Sequence, residues 1–284
     1  CLSVAVTVFW ICNGITRTLY KEQCKYREIY HDKTYYNIEN YIGKFARRRN
    51  IVQEVTDDNS QITLDDAKEE LNDINIEMKK LFNLEIEVVS QEDEAYYTAL
   101  GCYNNINYNG NICVFIGGGG SIELIFVNNK KIIDKKFYNF GVVDITKKFS
   151  SLKNDIPICT FEEVYTYVDN LINDIDTKAD VLVLTGGDHL YWYNNAGYKL
   201  LENSLYDSNN QKYMITKELS DKYDKDALVT SLDQIRKNSD NPLWFDGSRA
   251  MKVVTNLISN KIDAKYIIPT KINMEDGLKN KFID

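Results

Sequence analysis

Strand-like and helix-like patterns alternate through both halves of this 284-residue chain, and the alternation predicts an α/β protein of two related lobes. Three observations carry the prediction. Apolar runs lie on both sides of the stretch GGGG and a third follows, as in antiparallel strands around a tight hairpin. ADVLVLTGG, Ala179 to Gly187, is a short apolar run ending in a glycine pair, which reads as a buried strand. Between such runs lie stretches with a helical period, for instance Leu64, Ala67, Leu71, Ile74, Met78 and Leu81.

Leu2 to Ile11 and Thr16 to Lys21 read as two strands joined at the hairpin dipeptide Asn13-Gly14. The opening CLSVAVTVFWIC is too short to span a membrane and lacks a basic leader, so a buried first strand and no membrane partner are expected. Leu64 to Phe82 reads as a helix with Thr63 as its cap and Asp65 and Asp66 in its first turn. Leu84 to Ser90 follows as a short strand and Glu92 to Leu100 as a short helix. Asn111 to Ile116 and Ile122 to Asn128 are the strands beside the glycines, and NNKKIIDKKFYNF turns into a third. After Gly141, helices are expected at Thr160 to Asp174, Lys217 to Tyr223 and Gly247 to Asn260, with KYIIPT as a last strand. The stretch Lys148 to Cys159 reads as the segment linking the halves.

The formal net charge is -8, which argues against a general nucleic-acid binder. KFARRRN, Lys44 to Asn50, is the densest basic run and reads first as a solvated face or turn. Six scattered cysteines and only two histidines, His31 and His189, argue against a zinc site. Several of those cysteines sit in apolar runs, as buried free thiols of a cytoplasmic protein do.

The stretch VFIGGGGSIEL, Val114 to Leu124, places four of the chain's 14 glycines in one tip. Glycine loses more backbone freedom on folding than any other residue, so four in a row call for a return. A tip without side chains lets backbone amides approach an anion, and Ser121 adds a hydroxyl donor. A phosphate chain suits such a nest; an unliganded flexible tip is the other reading. The glycines lead into a strand and not a helix, which excludes the nucleotide P-loop and the dinucleotide fingerprint.

Three segments in order resemble the exopolyphosphatase and guanosine pentaphosphate phosphohydrolase (Ppx/GppA) family of the actin-like ATPase superfamily. VSQEDEAYYTALG (Val89 to Gly101) is similar to its SGEEEAR…YLG segment, and IGGGGSIEL (Ile116 to Leu124) to its DIGGGSTEL. YNFGVVDITKKF (Tyr138 to Phe149) follows in the place of a third motif. LVLTGG (Leu182 to Gly187) looks like its later glycine motif, and DGLKN (Asp276 to Asn280) like its closing REGLL. The resemblance implies two ribonuclease-H-like lobes with mixed sheets and an interlobe cleft, over 1–110 and 111–284. It implies hydrolysis of terminal phosphoanhydride bonds of polyphosphate or guanosine pentaphosphate, with homodimers among the family's assemblies. Glu94 then takes the place of the general base. Gly118, Gly119, Gly120 and Ser121 would hold phosphates, with Gly186 and Gly187 opposite them. Without the resemblance, QEDEA reads as an acidic helix start that complements the helix dipole.

The departures concern the metal. Trp10 and Ile116 stand where the resemblance places aspartates that help to hold a divalent cation, and neither side chain can coordinate magnesium. A phosphate-clamping arginine is replaced by Tyr96. Mg2+ is therefore the cofactor expected of an active protein, with Glu123 and Asp188 as the candidate ligands left. Two expectations follow: a hydrolase that places its metal by other groups, or a scaffold that binds polyphosphate or nucleotide without turnover. TGGDHLYWYNN also offers His189, whose aromatic neighbours favour a packed loop histidine over an acid or base.

Overall fold

The computed structural model describes residues 76, 79–80, 90–106, 108–202, 213–237 and 242–283. The chain divides into two compact units, Cys1–Val89 and Ser90–Asp284. Ile76, Lys79 and Lys80 are helical, within the expected helix Leu64 to Phe82. The expected strands before Ser90, the basic run Lys44 to Asn50, Trp10 and His31 lie outside the described residues.

One mixed sheet frames the second unit. Strands β1 (Ile112–Gly117), β2 (Ile122–Asn128) and β3 (Lys131–Tyr138) form an antiparallel meander. Asn129 and Lys130 close its second turn, both with positive φ (47° and 60°), the geometry whose twist matches a two-residue hairpin. On the other side of β1, β4 (Val181–Leu184) pairs in parallel, and β7 (Tyr266–Pro269) pairs in parallel with β4. Strand β6 (Tyr213–Thr216) and the two-residue β5 (Leu201–Glu202) finish that edge antiparallel. The seven-stranded order is β3-β2-β1-β4-β7-β6-β5. The first five follow the ribonuclease-H-like plan.

Both faces of the central strands are covered, which is why their sequences are continuous apolar runs without alternation. Ile112, Val114, Ile125 and Val183 face one core; Cys113, Phe115, Leu124 and Leu182 face the other. On the first face lies α1 (Gln91–Tyr103), capped by Ser90, whose hydroxyl accepts from the Asp93 amide at 3.1 Å. It crosses α8 (Met274–Ile283) almost backbone to backbone. A Cβ at Gly277 would sit 1.7 Å from the Tyr97 carbonyl oxygen, and one at Gly101 would sit 3.0 Å from the Gly277 nitrogen. Any side chain at Gly277 would force α1 and α8 apart.

The second face carries α3 (Phe161–Leu171) and α7 (Ser248–Lys261). Between β3 and α3 come α2 (Val142–Lys148) and a 3-10 turn, Ser150–Lys153. The stretch Lys148 to Cys159 is therefore no interlobe link: it belongs to the crossover from β3 to β4 within one sheet. Its polar, loop-like composition made it look like a linker, and Ile158 is indeed 90 % exposed. After β4 come α4 (Asp188–Asn195), α5 (Lys217–Asp226) and α6 (Leu232–Lys237).

Helix α7 is buried along nearly its whole length, including Arg249 and Lys252 at 0 % and 1 % exposure. Burying a guanidinium is tolerable only when its donors are met. Arg249 donates to the carbonyls of Ala227 (2.9 Å), Leu152 (3.1 Å), Asn154 (2.5 Å), Asp155 (2.5 Å) and Thr230 (2.6 Å). One side chain thus ties the crossover loop to the end of α5. Burial pushes its pKa down to about 10, which leaves it charged at neutral pH. Arg249→Met strands these carbonyls and is expected to lower the unfolding free energy by about 3–5 kcal/mol. A lowered midpoint in urea unfolding would show it, and an unchanged midpoint would mean the loops hold without the guanidinium.

Candidate active site

Strands β1, β4 and β7 run the same way, so the segments that follow them gather at one edge of the sheet. These segments are the glycine tip Gly118 to Ser121, the turn Thr185 to Asp188, and Thr270 to Asn273. In open α/β sheets this carboxyl edge is where ligands bind. The segments are bonded to one another. The Thr185 amide and hydroxyl donate to the Phe115 carbonyl at 3.2 and 2.9 Å. The Gly186 amide donates to the Ile272 carbonyl at 2.9 Å, and the Thr270 amide to the Leu184 carbonyl at 2.7 Å. Gly186 and Gly187 thus stand one strand from the tip in the same sheet. Their φ values of 81° and 94° explain the glycine pair without a ligand.

The tip is different, because none of Gly118, Gly119 and Gly120 has a positive φ. Its carbonyls are consumed: Gly118 and Gly119 accept from the Val142 and Val143 amides at 3.2 and 2.9 Å, at the start of α2. The Gly118 amide donates to the Ser121 carbonyl at 2.9 Å. The amides of Gly119 and Gly120 have no hydrogen-bond partner among the described residues. A Cβ at Gly120 would meet nothing within 4 Å, and one at Gly118 would meet Ser121 atoms at 3.7 Å or more. Neither conformation nor packing therefore requires glycine at 118 or 120. What those glycines leave is bare backbone with two amides to donate.

Helix α1 is tied to this tip. Gln91 Nε2 donates to Glu123 Oε1 at 2.5 Å, on the strand that leaves the glycines. Strand parity turns Glu123 to the α1 face, where it is 5 % exposed. Burial pushes the Glu123 carboxyl up, while hydrogen bonds from Gln91 and Ser121 pull it down. Among the acidic residues of the first turn, Glu92 pairs with Lys135 at 2.7 Å and Asp93 with the Ser90 hydroxyl at 2.7 Å. Glu94, one turn from Gln91, is half-buried and contributes its carbonyl to the Thr98 hydroxyl at 2.8 Å.

Asp188 opens α4 with an exposed side chain, although neighbouring protein still desolvates its carboxyl. That desolvation pushes its carboxyl up to about 6, against the pull of Lys252. Beneath it lies a buried cluster. Lys252 Nζ is 3.2 Å from His189 Nδ1, 3.9 Å from Asp224 Oδ1 and 3.4 Å from the centre of the Tyr193 ring. Burial pushes the lysine down and Asp224 up, and holds His189 well below its ordinary value. His189 is thus a packed neutral residue, as its aromatic surroundings predict. No group of three His, Cys, Asp or Glu residues close enough to hold a metal occurs among the described residues. Ile116, opposite Glu123 in register, supplies no ligand.

The sequence model of the Ppx/GppA phosphatase family matches residues 66–239. The chain belongs to the Ppx/GppA phosphatase family. Solved structures agree on the fold. The crystal structure of the Aquifex aeolicus Ppx/GppA family member is similar at a TM-score of 0.57 and 17% identity, covering 75% of this chain and 69% of that one. A second study of the Aquifex aeolicus PPX-GPPA enzyme gives 0.57 and 20%, over 74% and 70%. An exopolyphosphatase from Cytophaga hutchinsonii gives 0.59 and 14%, over 75% and 70%. No curated protein matches the chain. This Ppx/GppA protein therefore carries the actin-like ATPase fold, and its family is one of generally metal-dependent phosphatases.

Reading the motifs alone misses Gln91, Gly141 and Lys252. Gly141 had a visible signal, a glycine just ahead of a helix start. A Cβ there would lie 2.5 Å from the Gly118 carbonyl oxygen and from Gly119 backbone atoms, although its φ of -146° suits any residue. Gly141→Ala must displace the tip and is expected to destabilise the fold by about 1–3 kcal/mol. Gly120→Ala, with open space and an ordinary φ, is expected to keep or raise stability by up to about 1 kcal/mol. Thermal unfolding of the two variants checks the contrast; equal effects would refute it.

Proposed function

We propose that this Ppx/GppA protein hydrolyses the terminal phosphoanhydride bond of inorganic polyphosphate or guanosine pentaphosphate. One observation carries the reading: the Gln91–Glu123 hydrogen bond fastens the helix of Glu94 to a glycine tip with two undonated amides. Gly118, Gly119, Gly120 and Ser121 hold the phosphate oxygens, and the turn at Gly186 and Gly187 extends the same edge. Glu94 takes the proton of the attacking water as its oxygen bonds to the terminal phosphorus. The bond from that phosphorus to the bridging oxygen breaks in line, releasing orthophosphate and a chain one unit shorter. Tip amides aimed at the equatorial oxygens favour the transition state without reorganising.

Magnesium fits this edge in part. It keeps several waters and needs one or two protein carboxylates beside substrate phosphates; exposed Asp188 is available, whereas Glu123 is already held by Gln91 and Ser121. When bound, the ion would neutralise phosphate charge. We place the protein in the cytoplasm, without nucleic-acid partners and with a homodimer as its expected assembly. The thiols of Cys102, Cys113 and Cys159 are free, and no helix among the described residues is long and apolar enough to cross a membrane. A second reading, a polyphosphate or nucleotide binder without turnover, draws on Ile116 at the end of β1.

Phosphate release from polyphosphate and from guanosine pentaphosphate, over a series of divalent cations, separates the two readings. Hydrolysis by the wild type that falls about 10²- to 10⁴-fold in Glu94→Gln supports the base. Equal rates in both would reject Glu94, and binding with no turnover under any cation would favour the second reading.

A further inference from the structure

The first two segments at the carboxyl edge offer amides, hydroxyls and carboxylates, yet a phosphate chain calls for cationic charge. The expected clamp position holds Tyr96, 40 % exposed. The third segment supplies a cation. Lys271, immediately after β7, is exposed and makes no ion pair among the described residues. Its stem lies along Gly187: a Cβ built there would be 3.6 Å from Lys271 Cγ and 3.2 Å from Tyr191 Cε2. Its ammonium stands over the Tyr191 ring, 5.0 Å from the centre. The aromatic face holds the charge without neutralising it. The carboxylate of this turn, Asp188, has the buried Lys252 beneath it as a counter-charge.

We propose that Lys271 is the cation of a second phosphate subsite, which reads an inner phosphate of a chain whose end sits on the glycine tip. The assignment rests on the hydrolase reading above. Strand order sets the spacing: β7 lies two strands from β1, roughly 10 Å at the usual separation. Orthophosphate on the tip lies outside the reach of that subsite, whereas tripolyphosphate and longer chains extend into it. Lys271 thereby becomes a chain-length determinant.

Calorimetric titration with orthophosphate, tripolyphosphate and long-chain polyphosphate, with and without Mg2+, tests this on the full chain. Lys271→Gln is expected to weaken tripolyphosphate and long-chain binding about tenfold, the worth of one charge-assisted contact. Orthophosphate binding should stay as in the wild type, and Lys271→Arg should keep the long-chain affinity. The salt dependence of long-chain binding should lose roughly one counterion in Lys271→Gln. Unchanged chain binding in Lys271→Gln, where Gly120→Val abolishes it, overturns the subsite and leaves the hydrolase reading standing. Equal weakening for all three probes, orthophosphate included, overturns it as well. A wild type that binds none of the chains rejects the subsite together with the reading beneath it.

Discussion

Strands that pair in parallel must deliver the segments after them to the same edge, and this constraint produces the candidate site. Strand β4 lies between β1 and β7 with its direction shared by both, so three segments far apart in sequence become neighbours. The bonds from Thr185 to Phe115, from Gly186 to Ile272 and from Thr270 to Leu184 then fix them against one another. A site on such an edge inherits the rigidity of the sheet. The glycine tip gains order in a second way, because α2 takes up its carbonyls. The entropy that four glycines surrender is thus offset by the main chain of the next element, and the tip need not wait for a ligand to become ordered.

Under this edge the molecule buries charge, which apolar packing alone would avoid. Lys252 and Asp224 are both about 1 % exposed, with 3.9 Å between charged atoms, too far for a hydrogen bond. Burial pushes the lysine down and the carboxyl up, while each draws the other toward its charged form. Such a pair adds little net stability compared with apolar residues of the same volume. It also lies close enough to Asp188 for Lys252 to pull on that carboxyl. Arg249, three residues earlier on α7, does different work, because its partners are carbonyls and its effect is to hold loops.

Much of the second unit was legible in the sequence. Apolar runs located the strands beside the glycines, the strand into Gly186 and the last strand, and helical periods located α3 and α7. Local chemistry was enough there, since period and turn residues act within a few positions. Lys148 to Cys159 was misread because its polarity reports exposure and not topology. Arg249 and Lys252 look in the sequence like the polar face of an amphipathic helix; partners from α4, α5 and the crossover loop bury them. Gly277 is intelligible only once Tyr97 is beside it. In each case the deciding contact joins residues that no local pattern connects.

Isoleucine at position 116 puts no second carboxylate across from Glu123, and this shapes how the edge can meet phosphate charge. Register places residue 116 across from Glu123, and strand parity turns both toward α1. A carboxylate there would have stood beside the Glu123 side chain, two like charges whose separation a cation would have to bridge. With isoleucine in that place, Glu123 can be held by Gln91 and Ser121 and needs no metal to be satisfied. The Glu123 carboxylate serves as a strut between the glycine strand and the helix of Glu94. Positive charge must then enter from elsewhere on the edge, through tip amides and the lysine after β7. That lysine favours binding an anion in its ground state as much as in its transition state, and uniform binding of that kind does not by itself raise turnover. An edge built this way grips an anion more readily than it turns one over.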